Sequence, residues 1–336
     1  MKIQLIGLGN VGRSLIELIG EEETLLTARG YTIRIVAASD SQGSAIDKEG
    51  LNPEEILKFK KLGWKRFPKY RRGYDAARAV AEVESDVVVE MTPSTPDGEP
   101  GFSNIRAALE AGKHVVTSNK GPLVVAYKDL VNTAKAHKAR FLYEATVAAH
   151  LPVFCLIESC FKADELQGIR GILSATTNYM IEQIEKGKTF KEALRKAIKD
   201  GWAETNYSDD VDGVDAARKT IILANALFNA DAELADVQTK GIRNIENLIK
   251  EAQKHDAKVK LVCEIAETNR KLEMTVQPKE VSLDYPLATV KEGNMGIVFR
   301  FRTSRDIFVS AQFLGPKQTA FAVLNDLLRI ETEEAC

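Results

Sequence analysis

Between Gly201 and Lys219 the chain reads GWAETNYSDDVDGVDAARK, which gathers Glu204, Asp209, Asp210, Asp212 and Asp215 ahead of Lys219. Asp215 and Lys219 stand four residues apart, so on a helix they share a face. A charge run of this kind is ordinarily a solvated loop leading into a helix with a surface ion pair. Two features weigh against that plain reading. Ile221, Ile222, Leu223 and Ala224 make the following helix apolar on most sides, which sets Lys219 at the edge of something buried. Carboxylates this dense also repel one another, a cost that is more tolerable if they bind an ammonium group or orient a catalytic lysine. A lysine so held can pass a proton to a developing alkoxide or stabilise its charge.

A second set of residues could hold a hydride donor for such a reaction. Gly7, Gly9 and Gly12 form G-x-G-x-x-G directly after an apolar run and ahead of a helical pattern. The first glycine allows the tight turn, the second lets backbone approach a pyrophosphate, and the third lets helix and sheet pack closely. The helix N-terminus then presents N–H groups and a positive dipole end. Asp40 ends the next strand-like run and is placed either to accept from an adenosine ribose hydroxyl or to serve as an ordinary turn residue. Ser41, Gln42 and Gly43 follow it, with no cation directly there to favour NADP. Lys120 lies in TSNKGP just beyond another strand-like run, where ligands of parallel sheets bind. His114, His137, His150 and His255 have no metal-ligand spacing. Cys155 and Cys160, which a cysteine-nucleophile aldehyde dehydrogenase would need, sit in an apolar stretch and read as core packing.

The elements that must position these groups follow from hydrophobic periodicity. Strand patterns cover Lys2 to Ile6, Thr32 to Ser39, Asp86 to Met91, His114 to Thr117 and Arg140 to Tyr143. Helical patterns cover Gly12 to Gly20, Ile105 to Ala111 and Tyr127 to Lys138. Strand alternating with helix over short connections predicts an N-terminal Rossmann-type, doubly wound parallel sheet. Ser41 to Tyr74, polar and without clear period, reads as a helical insertion plus loop. The second half predicts a mixed α+β domain. It has a buried helix at Pro152 to Lys162, a strand at Gly168 to Ser174, and helices at Asn178 to Lys186, Phe190 to Asp200 and Ala216 to Phe228. An acidic loop spans Glu204 to Asp215, and an antiparallel sheet spans Lys258 to Phe313. A last helix, Gln318 to Ile330, carries Ala320, Val323, Leu324, Leu327 and Leu328. The expected dinucleotide-binding domain is 1–143 plus 316–336, and the expected substrate and dimerisation domain is 144–315.

The chain has 336 residues, 46 Lys plus Arg against 48 Asp plus Glu, and a formal net charge of −2, which argues against a nucleic-acid partner. No apolar run of about 18 residues is present to span a membrane, and the apolar start breaks at Gly7, too early for a signal peptide. Four cysteines in this length make no disulfide framework, so a reducing, cytoplasmic setting is expected.

Six segments together resemble the homoserine dehydrogenases of the short archaeal or bacterial type, over nearly the whole chain. They are GLGNVG, EPGFSNIRAALEAGKHVVTSNKGPL, YEATVAAHLPV, GILSATTNYM, GWAETNYSDDVDGVDAARK and TAFAVLNDLL. The last four in that order are specific, because other Rossmann enzymes do not share them. The resemblance implies NADPH- or NADH-dependent reduction of L-aspartate 4-semialdehyde to L-homoserine, a small-molecule step on the route to threonine, isoleucine and methionine, in a homodimer. It implies that Lys219 exchanges a proton with the carbonyl oxygen and that Lys120 is the second catalytic lysine. Glu204, Asp210 and Asp215 would hold the substrate amino group and a catalytic water, with Thr176 on the substrate loop. The expected cofactor set is Gly7, Gly9, Asn10, Val11, Gly12, Asp40, Thr92, Ser118, Lys120 and Gly315. A sodium ion is implied at Glu144, Val147, Ala149 and Leu151.

Four departures mark this chain. Ala175 stands in the substrate loop where the family has glycine. Ala148, Ala149 and His150 replace a glycine-rich stretch, with His150 read as a satisfied structural histidine and a titrating group as the alternative. The glycine-rich stretch before the last helix is reduced to Gly315. The chain stops after that helix, so no regulatory ACT domain is expected. On the residues alone, another amino-acid or oxo-acid dehydrogenase and a non-catalytic dinucleotide-binding regulator remain the alternatives.

Overall fold

The apolar run after Met1 forms β1 (Lys2–Ile6), which stops where Gly7 turns the chain into α1 (Asn10–Glu21). There follow α2 (Glu23–Ala28), β2 (Arg34–Asp40), β3 (Gly43–Ile46), α3 (Pro53–Leu62), β4 (Tyr70–Arg71), α4 (Ala76–Glu82), β5 (Val87–Glu90), α5 (Gly101–Glu110), β6 (His114–Thr117), α6 (Lys120–Ala136) and β7 (Phe141–Leu142). The computed structural model describes residues 1–203, 207–268 and 271–334. The chain divides into two units, Met1–His150 with Gly315–Cys336, and Leu151–Leu314.

The first unit is built on a seven-stranded sheet in the order β4-β3-β2-β1-β5-β6-β7. Five strands, β2 to β7 through β1, run parallel. Alternation along them feeds two cores. Ile3, Leu5, Val87 and Val89 pack with Leu15 and Ile16 of α1 and with Val323 and Leu327 of the last helix. Ile6 and Val88 face the other way, with Ile105 and Leu109 of α5 and Leu130 of α6. The doubly wound arrangement follows from strands that are apolar on both faces.

Two segments differ from expectation. Ser41 to Tyr74 contains α3, but also β3 and β4, which extend the sheet antiparallel at its edge. These strands are short, and the buried Ser44 of β3 is polar, its hydroxyl 2.7 Å from that of Ser39 on β2. The apolar period that marks a strand is therefore missing. The helix expected from Tyr127 begins at Lys120, with a non-helical residue at Ala126. Asn119 caps it, and Pro122 falls in the first turn, where its missing N–H costs no helical bond.

In the second unit lie α7 (Phe154–Cys160), β8 (Leu166–Ile172), α8 (Ala175–Glu185), α9 (Phe190–Lys199), α10 (Ser208–Val211), α11 (Val214–Leu227), β9 (Val237–Thr239), α12 (Glu246–Ala252), β10 (Ala257–Thr268), β11 (Lys271–Ser282), β12 (Met295–Phe301) and β13 (Asp306–Ala311). The chain then returns to the first unit as α13 (Pro316–Glu334). The six-stranded sheet has the order β13-β12-β8-β10-β11-β9 and is antiparallel except for β9, which joins β11 in parallel. With three residues, β9 offers too little pattern to be read from sequence. α8, α11 and α12 pack against β10. Across the sheet, Ile172, Val262, Val281 and Val298 are covered by Leu287, Ala288 and Val290.

The buried helix expected over Pro152 to Lys162 is corrected. α7 is one short element with Phe154 as its single buried residue. Cys155 is half-buried and Cys160 exposed, so neither is core packing, while Cys263 on β10 is buried. No helix among the described residues is long and apolar enough to cross a membrane.

Candidate functional site

In the second unit the acidic stretch resolves into two kinds of carboxylate. Asp209 and Asp212 take arginines near the surface. Arg218 Nη1 donates to Asp209 at 2.6 Å, and Arg243 donates to both oxygens of Asp212 at 2.5 and 3.0 Å. Asp215, already inside α11, instead pairs with Lys219 one turn later, Nζ to Oδ2 2.7 Å. Lys219 Nζ also donates to the Leu173 carbonyl at 2.7 Å, which ties α11 to the end of β8. Both side chains are largely buried, at 13% and 18% exposure. Burial acts to lower the Lys219 pKa, but the adjoining Asp215 charge, its hydrogen bond and the Asp210 charge outweigh it and hold the ammonium above its ordinary value. Beneath, burial pushes the Cys263 thiol up to about 11, which leaves it protonated and unsuited to be a nucleophile.

Ser174 caps α8, and Thr176 Oγ1, in the first turn of that helix, donates to the Trp202 carbonyl at 2.6 Å. Trp202 leads into residues 204–206, so Glu204 lies outside the described residues, as does Cys336.

In the first unit the glycine turn has the shape its spacing demands. Gly7 adopts φ +94°, and a Cβ there would stand 2.5 Å from the Met91 carbonyl. A Cβ on Gly12 would stand 2.1 Å from the Gly7 oxygen. Gly9, the N-cap of α1, faces open space, with no side-chain cap. Asn10 Oδ1 accepts from Arg13 at 2.8 Å, and Val11 is half-buried. Such a turn leaves room where a pyrophosphate would meet a helix N-terminus.

Thr92, Ser118 and Lys120 stand past the C-terminal ends of β5 and β6 in the same sheet. Ser118 N–H donates to the Glu90 carbonyl at 3.2 Å, and Lys120 N–H donates to Ser94 Oγ at 3.0 Å. Asp40 ends β2 as expected, but it ion-pairs with Lys60 of α3, a cation twenty residues away in sequence. Lys60 also lies 5.6 Å from the Trp64 ring centroid, and Asp40 Oδ1 accepts from the Gln42 N–H at 2.7 Å. Gly315, at φ +138°, precedes α13 and faces open space.

Glu144, Val147 and Ala149 are buried in the first unit and Leu151 in the second. Glu144 N–H donates to Asp326 Oδ2 at 2.9 Å, and burial beside Glu144 raises Asp326 to about 7. No cluster of three metal-binding His, Cys, Asp or Glu side chains occurs among the described residues. The reading of His150 as satisfied is corrected, because its Nδ1 is buried without a hydrogen-bond partner and burial lowers its pKa.

Sequence reasoning missed Lys60, Cys263, the Leu173 carbonyl and Glu90. Only Glu90 leaves a local signal, an acid inside the apolar run DVVVEM.

Known proteins show which family the chain resembles. The family model described as homoserine dehydrogenase matches residues 152–328, and the one described as homoserine dehydrogenase, NAD binding domain, matches 7–144. A homoserine dehydrogenase of Methanocaldococcus jannaschii is 34% identical over 98% of each chain. An NAD(+)-dependent homoserine dehydrogenase of Pseudomonas canavaninivorans is 32% identical over 98% of this chain and 96% of its own. The crystal structure of a putative homoserine dehydrogenase from Archaeoglobus fulgidus superposes with a TM-score of 0.89 at 30% identity, covering 98% of this chain and 99% of that one.

Proposed function

The chain belongs to the homoserine dehydrogenase family, an NAD(P)-dependent oxidoreductase acting on a small-molecule substrate, and from that premise we propose which residues carry the reaction. Lys219 is the proton donor to the aldehyde oxygen of L-aspartate 4-semialdehyde. The observation behind this is its ammonium, held by Asp215 and the Leu173 carbonyl at 2.7 Å each and kept charged. When bound, the nicotinamide supplies or accepts the hydride. In reduction Lys219 gives its proton as the alkoxide forms, and in oxidation it must first be neutral to take one. Asp210, Asp215 and Glu204 hold the substrate ammonium and a water, Thr176 orients the substrate, and Lys120 assists the reacting end. The unit holding the glycine turn binds the dinucleotide through Gly7, Gly9, Asn10, Val11, Gly12, Thr92, Ser118 and Gly315. The other unit, near the expected 144–315, provides substrate groups and the dimer contact.

The Asp40–Lys60 pair suits either cofactor. The carboxylate accepts from ribose hydroxyls of NAD, and the ammonium meets the 2′-phosphate of NADP. A homodimer forms through the second sheet, on the face that carries the Arg170–Glu264–Lys279 ion pairs. Within the first unit, the Glu144 carboxylate and the carbonyls of Val147 and Ala149 are oxygen donors of the kind that suits a hard cation such as sodium.

Steady-state homoserine oxidation with NAD and with NADP tests the reading. Turnover with at least one cofactor is expected. Cofactor binding without turnover of homoserine would leave the regulator alternative in its place.

A further inference from the structure

Glu90 is 0% exposed at the end of β5, a position where a carboxylate needs a reason to be retained. Its Oε1 accepts from the Thr92 N–H at 2.9 Å and from the Thr92 hydroxyl. Thr92 Oγ1 in turn accepts from Asn119 Nδ2 at 3.2 Å. The other end of that amide, Asn119 Oδ1, accepts from Ser94 Oγ at 2.7 Å, and Ser94 Oγ accepts from the Lys120 and Gly121 N–H groups at 3.0 and 3.1 Å. Every proton in this series points the same way, from the first peptides of α6 through Ser94, Asn119 and Thr92 to Glu90. Thr117 closes a second path. Its hydroxyl donates to the Glu90 carbonyl at 2.9 Å and accepts from the Asn119 N–H at 3.0 Å.

The cluster is built to stay closed. A Cβ on Gly101, the first residue of α5, would stand 2.5 Å from Asn119 Nδ2 and 3.1 Å from Glu90 Oε2. On the far side, a Cβ on Gly7 would stand 2.7 Å from the Thr92 nitrogen that Glu90 binds. The peptide against the phosphate-binding turn and the residue that starts α6 are thus tied to one buried carboxyl. Burial pushes that carboxyl above its ordinary value, while the Thr92, Asn119 and Thr117 donors pull it down.

We propose that Glu90 is a positioning residue for the cofactor end of the reaction. It sets Thr92 against the glycine turn and Lys120 at the start of α6, and touches neither cofactor nor substrate itself. This rests on the reading of the first unit as the NAD(P) site and assigns it a residue that the glycine motif does not contain.

Three variants test it. Glu90→Gln keeps an oxygen for Thr92 and should hold NAD(P)H affinity and kcat within about 3-fold. Glu90→Leu removes both acceptors and orphans the Thr92 N–H, and should weaken NAD(P)H binding about 10-fold or more and lower kcat. Glu90→Asp keeps a carboxyl but shortens the reach by one methylene, and should fall between them. The homoserine KM should stay within about 2-fold in all three, because the groups proposed to bind it lie in the other unit. NAD(P)H titration by fluorescence and steady-state kinetics read these out. Glu90→Asp decides the matter if Glu90→Leu does not fold. Wild-type affinity and kcat in the folded Asp and Leu variants, with only the melting temperature lowered, would overturn the role. Wild-type enzyme that bound no NAD(P)H would instead overturn the cofactor reading beneath it.

Discussion

The phosphate-type turn of the first unit and the Asp215–Lys219 pair of the second make their chemistry from different materials. The turn is backbone. Gly7 and Gly12 are required because a Cβ on either would overlap atoms of neighbouring peptides. The lysine site is charge held in a partly buried setting. Its charge is set by burial and by Asp215 one turn away, and it is completed by the Leu173 carbonyl, Asp210 and Cys263, which are distant in sequence from Lys219 or separated from it by a turn. A backbone device is therefore written locally, while a buried charge pair is completed by the fold.

The largest expected effect falls on the second kind. Lys219→Ala should lower kcat about 100-fold or more, the usual scale for a lost general acid or base, with NAD(P)H affinity unchanged. A variant with near wild-type kcat would remove Lys219 from proton transfer. The first kind should fail through folding or cofactor binding instead. Gly7→Ala must adopt φ +94° against the Met91 carbonyl, so it should cost about 2 kcal/mol or more and show a clearly lowered melting temperature. Gly9→Ala meets nothing within 4 Å at φ −77°, so its melting temperature should not move. Its NAD(P)H Kd should rise about 10-fold, because the added methyl occupies the approach of a pyrophosphate. Equal melting temperatures for the two variants would erase the distinction between the glycines.

The same contrast explains what was legible in the sequence. The parallel strands of the first sheet are apolar on both faces and bounded by glycine or polar turns, so their order and faces follow from pattern. β3 and β4 are hidden because they are only four and two residues long and the buried Ser44 breaks the apolar period, and the first half of α6 is hidden by Gly121 and Pro122. In the acidic stretch, spacing identifies Asp215 with Lys219. Nothing in the spacing tells that Asp209 and Asp212 are spoken for by Arg218 and Arg243, the latter thirty-one residues away. Cys155 and Cys160 were misplaced because a short apolar run does not say how much of a helix is covered.

Asp215→Asn sharpens the electrostatic half of the comparison. Lys219 is held above its ordinary value, so in the wild type the ammonium persists through the neutral range. Reduction should keep its proton donor there, and homoserine oxidation should rise with pH as the neutral amine is populated. Removing the Asp215 charge leaves burial as the leading influence, which lowers the Lys219 pKa. The alkaline limb of the oxidation profile should then move to lower pH. An unmoved profile would mean that a different group titrates.

The smallest expected effect concerns Lys60, where the backbone device meets a side-chain one. Asp40 closes β2 in the position proposed to read a ribose, yet Lys60 neutralises it from α3. In Lys60→Gln the carboxylate keeps its Gln42 N–H but loses its cation, so it is freer to accept from ribose hydroxyls and more hostile to a 2′-phosphate. The ratio of NADP to NAD affinity should fall by several fold to about 10-fold, in the direction set by one lost charge contact. Orphaning a largely buried carboxylate should also lower the melting temperature, and that cost is read separately from the ratio. With saturating NAD, kcat for homoserine should stay near wild type, since Lys60 touches none of the groups assigned to proton transfer. A ratio that holds while the melting temperature falls would make the pair a structural clasp for the sheet edge and leave cofactor choice to other residues.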